Sequence, residues 1–195
     1  MKIGLYFGTF NPIHNGHLII ANHLVEFSDL EEIWMVVTPH NPHKQKNDLI
    51  EDHHRLEMVR IATQNYPKIK VSDIEFDIPQ PNYTFDTLVY LGKKFPQHQF
   101  SLIIGEDNLQ TFDKWKNYET ILEQYHIYVY PRKYTEPTKN KFLSNPKIHI
   151  INAPIVNISS TLIREATKNK KNISSLIPEK VFEYIKDNLK HLVLP

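Results

Sequence analysis

Gly8-Thr9-Phe10-Asn11-Pro12-Ile13-His14-Asn15-Gly16-His17 is the stretch from which the fold can be read. Before it, Ile3-Gly4-Leu5-Tyr6-Phe7 has the short apolar character of a buried parallel strand. After it, Leu18, Ile19, Ala21, Leu24, Val25 and Phe27 fall on one broad helical face. A strand that passes through such a loop into a helix delivers a helix N-terminus, whose backbone N–H groups lack intrahelical partners and carry partial positive charge. An anion binds at such an end without a dedicated cation. Gly8 and Gly16 permit close backbone approach, and His14 and His17, three apart, can turn two ring donors toward one polyphosphate. Read as a metal pair, the two histidines have an incomplete ligand set, since the chain has no cysteine and the loop no carboxylate. Taken alone they are also compatible with ordinary surface histidines, of which a chain with eleven has several to spare.

Outward from this loop the same alternation continues. Apolar runs at 33–37, 69–71, 100–104, 127–130 and 148–151 read as strands, and helical patterns occupy 18–27, 52–64, 84–94, 118–124, 161–167 and 178–189. Strands alternating with helices of this length predict an α/β, Rossmann-like doubly wound fold: a mainly parallel sheet with helices on both faces. Ligands of such sheets bind outside the carboxyl ends of the strands, near a switch in strand order. Thr84 is a candidate N-cap, Pro178 followed by Glu179 opens the last helix, and Val181, Phe182, Ile185 and Leu189 give that helix a core-facing stripe. The aperiodic Lys-, Thr-, Asn- and Pro-rich stretch 132–146 reads as an exposed loop, and Lys168 to Lys171 as a solvated helix end.

The 195 residues suit one domain, residues 1–195, long enough to remove roughly 70% of the unfolded surface from water. Zero cysteines exclude disulfides and thiolate nucleophiles and agree with a reducing, cytoplasmic setting. No stretch approaches the ~18 apolar residues of a membrane span. Sequons at Asn82, Asn157 and Asn172 read as chance matches in a chain without a secretion signal. A formal charge of +1 argues against a general polyanion binder, so neither nucleic acid nor membrane is an expected partner. The oligomeric state stays open, a homo-oligomer included.

A second candidate phosphate site follows the last strand: Asn157-Ile158-Ser159-Ser160-Thr161-Leu162-Ile163-Arg164. Structurally, Ser159 or Ser160 is an N-cap. Functionally, three consecutive hydroxyls, free N–H groups and an arginine one turn in would enclose a phosphate.

The first loop resembles the HxGH signature, and the second segment the ISSTxIR motif, of the nucleotidyltransferase superfamily, which transfers a nucleoside monophosphate from a nucleoside triphosphate. Within it, three further segments are similar to the bacterial nicotinate-nucleotide adenylyltransferases: Pro39-His40-Asn41-Pro42-His43-Lys44, Tyr83-Thr84-Phe85-Asp86-Thr87-Leu88, and Ile103-Ile104-Gly105-Glu106-Asp107-Asn108 with Trp115 beyond it. The resemblance implies AMP transfer from ATP to nicotinate mononucleotide, with His14, His17 and Arg164 as catalytic residues. It assigns Gly8, Thr9, Phe10, Gly16, Gly105, Asp107, Ser159, Ser160 and Thr161 to ATP. His43 and Lys44 go to the mononucleotide's phosphate or ribose, Thr84 to its carboxylate, Trp115 to stacking on its pyridine ring, and Arg132 to the same side. Trp115 has an apolar-packing reading beside the stacking one. Phe7 stands where relatives often have Gly, and Asn11 where many have Asp.

On this reading the attacking phosphate is already anionic, with a second pKa near ~6, and needs no general base. Positioning and charge stabilisation remain as the protein's task. Mg²⁺ is expected to arrive with ATP, held by phosphates and water, with no dedicated protein ligand. Competing readings are an adenylyltransferase for nicotinamide mononucleotide or for pantetheine phosphate, and a nucleotide sensor that binds without turnover.

Overall fold

In the computed structural model, residues 1–39, 49–132 and 140–189 are described. Strands β1 (Lys2–Gly8), β2 (Glu32–Val37), β3 (Ile69–Ser72), β4 (Gln99–Gly105), β5 (His126–Tyr130) and β6 (Ile148–Ile150) make one sheet. Its order is β3-β2-β1-β4-β5-β6 and every pairing is parallel. Helices α1 (Asn15–Phe27), α2 (Asp52–Thr63), α3 (Thr84–Lys94), α4 (Glu106–Leu109), α5 (Tyr118–Gln124), α6 (Ser160–Lys168) and α7 (Glu179–Asn188) connect and cover the strands. The chain leaves β1 toward β2 and β3, then returns to the other side of β1 for β4. That reversal opens a crevice outside the carboxyl ends of β1 and β4.

Alternation along each strand sorts the core into two layers. Ile3 and Leu5 of β1 join Leu102, Ile104, Ile127 and Val129 on one face, where Leu88 and Leu91 of α3, Leu109 of α4 and Ile121 of α5 cover them. Tyr6, Ile103, Tyr128 and Tyr130 face the other way, toward α1, α2, α6 and α7. Each fully buried Leu or Ile stabilises this arrangement by on the order of 2 kcal/mol. Among the described residues no helix is long and apolar enough to cross a membrane.

Three local expectations change. First, α1 begins at Asn15, ahead of its apolar stripe, because His14 is extended (φ −147°, ψ 168°) and its carbonyl accepts the His17 N–H at 2.9 Å. Both histidines therefore belong to the helix start. Second, Thr84 is not an N-cap: Tyr83 holds the extended cap position, and Thr84 is the first helical residue. Third, the described part of 132–146 is not all exposed. Phe142 is 7% exposed and packs edge-on against Phe112 and Tyr118, and Asn140 anchors the turn through the Leu109 carbonyl at 3.1 Å. A single aromatic in a polar, aperiodic stretch leaves no mark in the pattern, because its pocket is built by residues far away in the chain.

Candidate active site

The crevice is lined by Gly8, Thr9, Phe10, His17, Thr84, Gly105, Asp107, Trp115, Arg132 and Ser160 among the residues singled out from the sequence. His14, Gly16, Ser159, Thr161 and Arg164 are not part of this lining, and His43 and Lys44 lie outside the described residues.

The wall nearest β1 is built from rings. His14, 4% exposed, stacks on His17 with centroids 3.7 Å apart and planes at 23°. His17 in turn meets Phe10 edge-on at 5.0 Å and Tyr6 at 6.0 Å. The His17 Nδ1 accepts from the His14 backbone N–H at 3.2 Å, which leaves the ring proton on Nε2. Burial, with the Arg132 charge adding to it, pushes His14 down to about 4, so at neutral pH its ring is uncharged. Its Nδ1 is buried without a hydrogen-bond partner. Gly16 leaves room here: a Cβ would stand 3.0 Å from that Nδ1 and 3.3 Å from Val156 Cγ1, a tight fit that the ring would have to relieve by shifting. The glycine thus admits an imidazole ring, where the sequence suggested close approach to a ligand.

Backbone N–H groups at the start of α1 are mostly taken. His14 gives its N–H to His17, Asn15 donates to the Leu176 carbonyl at 2.9 Å, and His17 donates to His14. Anion-binding capacity facing the crevice therefore rests on the His17 ring and the helix dipole more than on those amides.

Opposite, at the ends of β4 and β5, Arg132 Nη2 donates to Tyr130 Oη at 3.0 Å, while its Nε faces Asp107 at 3.4 Å. Tyr130 accepts a further hydrogen bond from Tyr6 at 3.2 Å. A Cβ on Gly105 would meet the Asp107 carboxylate and displace it from its place beside Arg132. The third wall is the start of α3. Lys116 binds both Asp86 oxygens at 2.8 and 2.9 Å and lies 5.0 Å over the Tyr83 ring, tying the Trp115 segment to α3. Trp115 is half-buried, packs on Phe112 at 5.4 Å and also lines the crevice. The packing reading is met on the Phe112 side, and the residue also borders the crevice.

At the α6 start the N-cap reading holds, and two further side chains bind the β1–α1 loop. Ser159 Oγ accepts from Leu162 N at 3.1 Å and is the cap; Ser160 donates to the Pro12 carbonyl at 2.9 Å; Arg164 donates to the Asn11 carbonyl at 2.9 Å. Thr161 is exposed and accepts from Arg164 at 3.4 Å.

Sequence reasoning missed Tyr6, Thr38, Glu75, Asn82, Lys116 and Tyr130, all of which line the crevice. Glu75 is 1% exposed, accepts from Thr87 Oγ1 at 2.6 Å, and burial pushes its carboxyl up. Its signal was an acid between Ile74 and Phe76. Tyr6 and Tyr130 looked like strand interior. Outside the crevice, ligand atoms of Glu51, His53 and His54 lie within 4.8 Å of one another at the α2 start, a group able to meet a metal ion.

The Cytidylyltransferase-like family model matches residues 5–166. A "Probable nicotinate-nucleotide adenylyltransferase" of Flavobacterium psychrophilum is 64% identical over 185 residues, covering 95% of this chain and 96% of its own length. A protein of the same name from Flavobacterium johnsoniae is 63% identical over 188 residues, covering 96% and 97%. Among solved structures, Plasmodium falciparum nicotinic acid mononucleotide adenylyltransferase complexed with NaAD superposes with a TM-score of 0.84 at 25% identity, over 100% of this chain and 99% of that one.

Proposed function

The chain belongs to the nicotinate-nucleotide adenylyltransferases of the cytidylyltransferase-like superfamily, and from that premise we propose that it transfers AMP from ATP to nicotinate mononucleotide. The products are nicotinate adenine dinucleotide and pyrophosphate. The observation that carries this reading is the stacked His14–His17 pair at the start of α1, with the His17 edge on a crevice that also holds Arg132, Thr84 and Trp115.

In the proposed reaction a phosphate oxygen of the mononucleotide attacks the α-phosphorus of ATP. The bond from that phosphorus to the bridging oxygen breaks, and pyrophosphate leaves with the electron pair. The nucleophile is anionic at neutral pH, so the residues position and stabilise charge. His17 Nε2–H is suited to donate to the triphosphate. His14, neutral and buried behind it, sets the angle of the His17 ring by stacking. Gly8, Thr9 and Phe10 shape the floor beneath ATP, and Gly105 and Asp107 border its adenosine. Thr84 and Trp115 would hold the nicotinate end, with Arg132 on the same side. His43 and Lys44 retain their proposed contacts to the mononucleotide. Arg164, Ser159, Ser160 and Thr161 would act on the triphosphate's far end, Ser160 from the crevice wall.

Mg²⁺ is proposed to accompany ATP. Asp107 pairs with Arg132 and one Glu75 oxygen accepts from Thr87, and the ion would be held mostly by phosphates and water. When bound it would neutralise phosphate charge. We take residues 1–195 as one transferase domain working in the cytoplasm.

The test is pyrophosphate release from ATP and Mg²⁺ with nicotinate mononucleotide, nicotinamide mononucleotide or phosphopantetheine offered separately. Preference for nicotinate mononucleotide is expected. Comparable use of the amide means a dual-specificity site, and silence with all three favours a sensor.

A further inference from the structure

We propose that Arg55 is a positioning residue for the transfer reaction, holding the Thr9–Phe10 peptide, and through it the His17 ring, in place from behind the crevice. The proposal rests on the reading of the β1–α1 loop as the ATP site. Arg55 is 0% exposed, on α2, and none of the crevice surface is formed by it.

All five of its N–H donors are used. Nε donates to the Ile50 carbonyl at 2.9 Å; Nη1 donates to the Thr9 carbonyl at 2.6 Å and the Thr38 carbonyl at 2.9 Å; Nη2 donates to the Pro39 carbonyl at 3.3 Å and to Asp52 Oδ1. A guanidinium with every donor satisfied has none left for a phosphate. The four carbonyls come from three separate stretches: the loop after β1, the end of β2 and the lead into α2. Asn11 also ties the loop to the lead into α2, its Oδ1 accepting from the Ile50 N–H at 2.9 Å.

The Thr9 bond matters most. Orienting that carbonyl orients the whole Thr9–Phe10 peptide plane, and so constrains φ of Phe10. Phe10 has φ 44°, in the left-handed region that a bulky residue enters only when its surroundings over-determine it. The Phe10 ring is 1% exposed and sets the edge against which His17 rests. A chain of fixed contacts thus runs from Arg55 through Thr9 and Phe10 to His17. Lysine cannot replace it: an ammonium offers three donors from one point, while these acceptors surround a planar fork.

The experiment compares wild type, Arg55→Lys, and a protein carrying phenyllactate in place of Phe10, whose ester makes the Thr9 carbonyl a weaker acceptor while leaving Arg55 intact. Turnover is expressed per folded molecule, the folded fraction being read by circular dichroism, and affinity for a non-hydrolysable ATP analogue is titrated alongside. The positioning role requires Arg55→Lys to lose about tenfold or more in kcat and about fivefold or more in analogue affinity, and the ester about threefold in both. A purely structural role lowers Tm and the folded fraction but leaves kcat per folded molecule and analogue affinity within twofold of wild type, which would overturn the proposal. If Arg55→Lys does not fold, the ester protein decides alone: unchanged affinity refutes the role. If wild type binds the analogue without turnover, the transferase reading fails while the affinities still judge Arg55. If wild type does not bind it, the proposal falls with the ATP site.

Discussion

The starts of α1 and α6 carry similar sequence signals, a loop after a strand with polar side chains where the helix opens, yet their polar atoms point in opposite senses. At α1 the backbone amides of residues 14, 15 and 17 are satisfied within the protein, and what faces the crevice is the edge of an imidazole. At α6 the cap is satisfied by Ser159, while Ser160 and Arg164 turn back to grip the Pro12 and Asn11 carbonyls. One helix start turns a ring edge to the crevice; the other braces the loop beside it, with Ser160 reaching the crevice wall as well. A hydroxyl-rich segment with an arginine one turn in can thus be scaffolding for a phosphate loop as readily as a second phosphate loop.

The sharpest way to break this contrast is at the presenting end. His17→Ala is expected to lose about a hundredfold in kcat, roughly 3 kcal/mol of transition-state stabilisation, with the fold retained. Steady-state rates on the folded variant check it, and full turnover would erase the distinction between the two ends.

Acid should also act on α1 and spare α6, which has no titratable group at its cap. His14 is held at about 4, below its unfolded value of 6.5. Above pH 6.5 the ring is neutral in both states and makes no pH-dependent difference. As pH falls from 6.5 toward 4 the unfolded chain takes up a proton that the folded protein refuses, and stability drops by roughly 3 kcal/mol across that window. Denaturant melts from pH 7 to 4 should show this slope, and His14→Gln should flatten it.

Arg164→Ala sharpens the comparison from the supporting end. It leaves the Asn11 carbonyl without its charged donor and is expected to cost about 2 kcal/mol in stability. If Arg164 also reaches the triphosphate, the KM for ATP rises with it; stability loss at constant KM makes it a brace alone. Smallest is Ser159→Ala, which should remove about 1 kcal/mol by loss of the cap and leave both KM values unchanged.

Much of this was readable in advance for a definite reason. The strand–helix alternation and the β1–loop–α1 unit are local patterns, and local patterns survive in sequence. What stayed hidden depends on partners far along the chain. Arg55 sits in His53-His54-Arg55-Leu56-Glu57 and looks like one charge on a solvated helix face, because the carbonyls that bury it come from Thr9, Thr38 and Pro39. The Tyr6–Tyr130 contact joins strands whose tyrosines read as core. Ser160 and Arg164 matched a phosphate pattern correctly placed next to the loop, but the direction of their hydrogen bonds follows from tertiary packing that no spacing encodes. Thr84 shows the same limit at shorter range: its hydroxyl chemistry suits a cap, and the chain enters α3 one residue earlier.

The links from Ser160 to Pro12 and from Arg164 to Asn11 span 148 and 153 residues, and Asn15 is fastened to Leu176 and Ser175 as well. On the ribosome, residues 9–17 emerge long before the segment that anchors them. The loop that is translated earliest is therefore among the last to be set, and a nascent or truncated chain that stops before α6 carries the signature motif without its supports. The geometry of the loop is in this way tied to residues 160–176, so its last contacts are made only when the far end of the chain is in place.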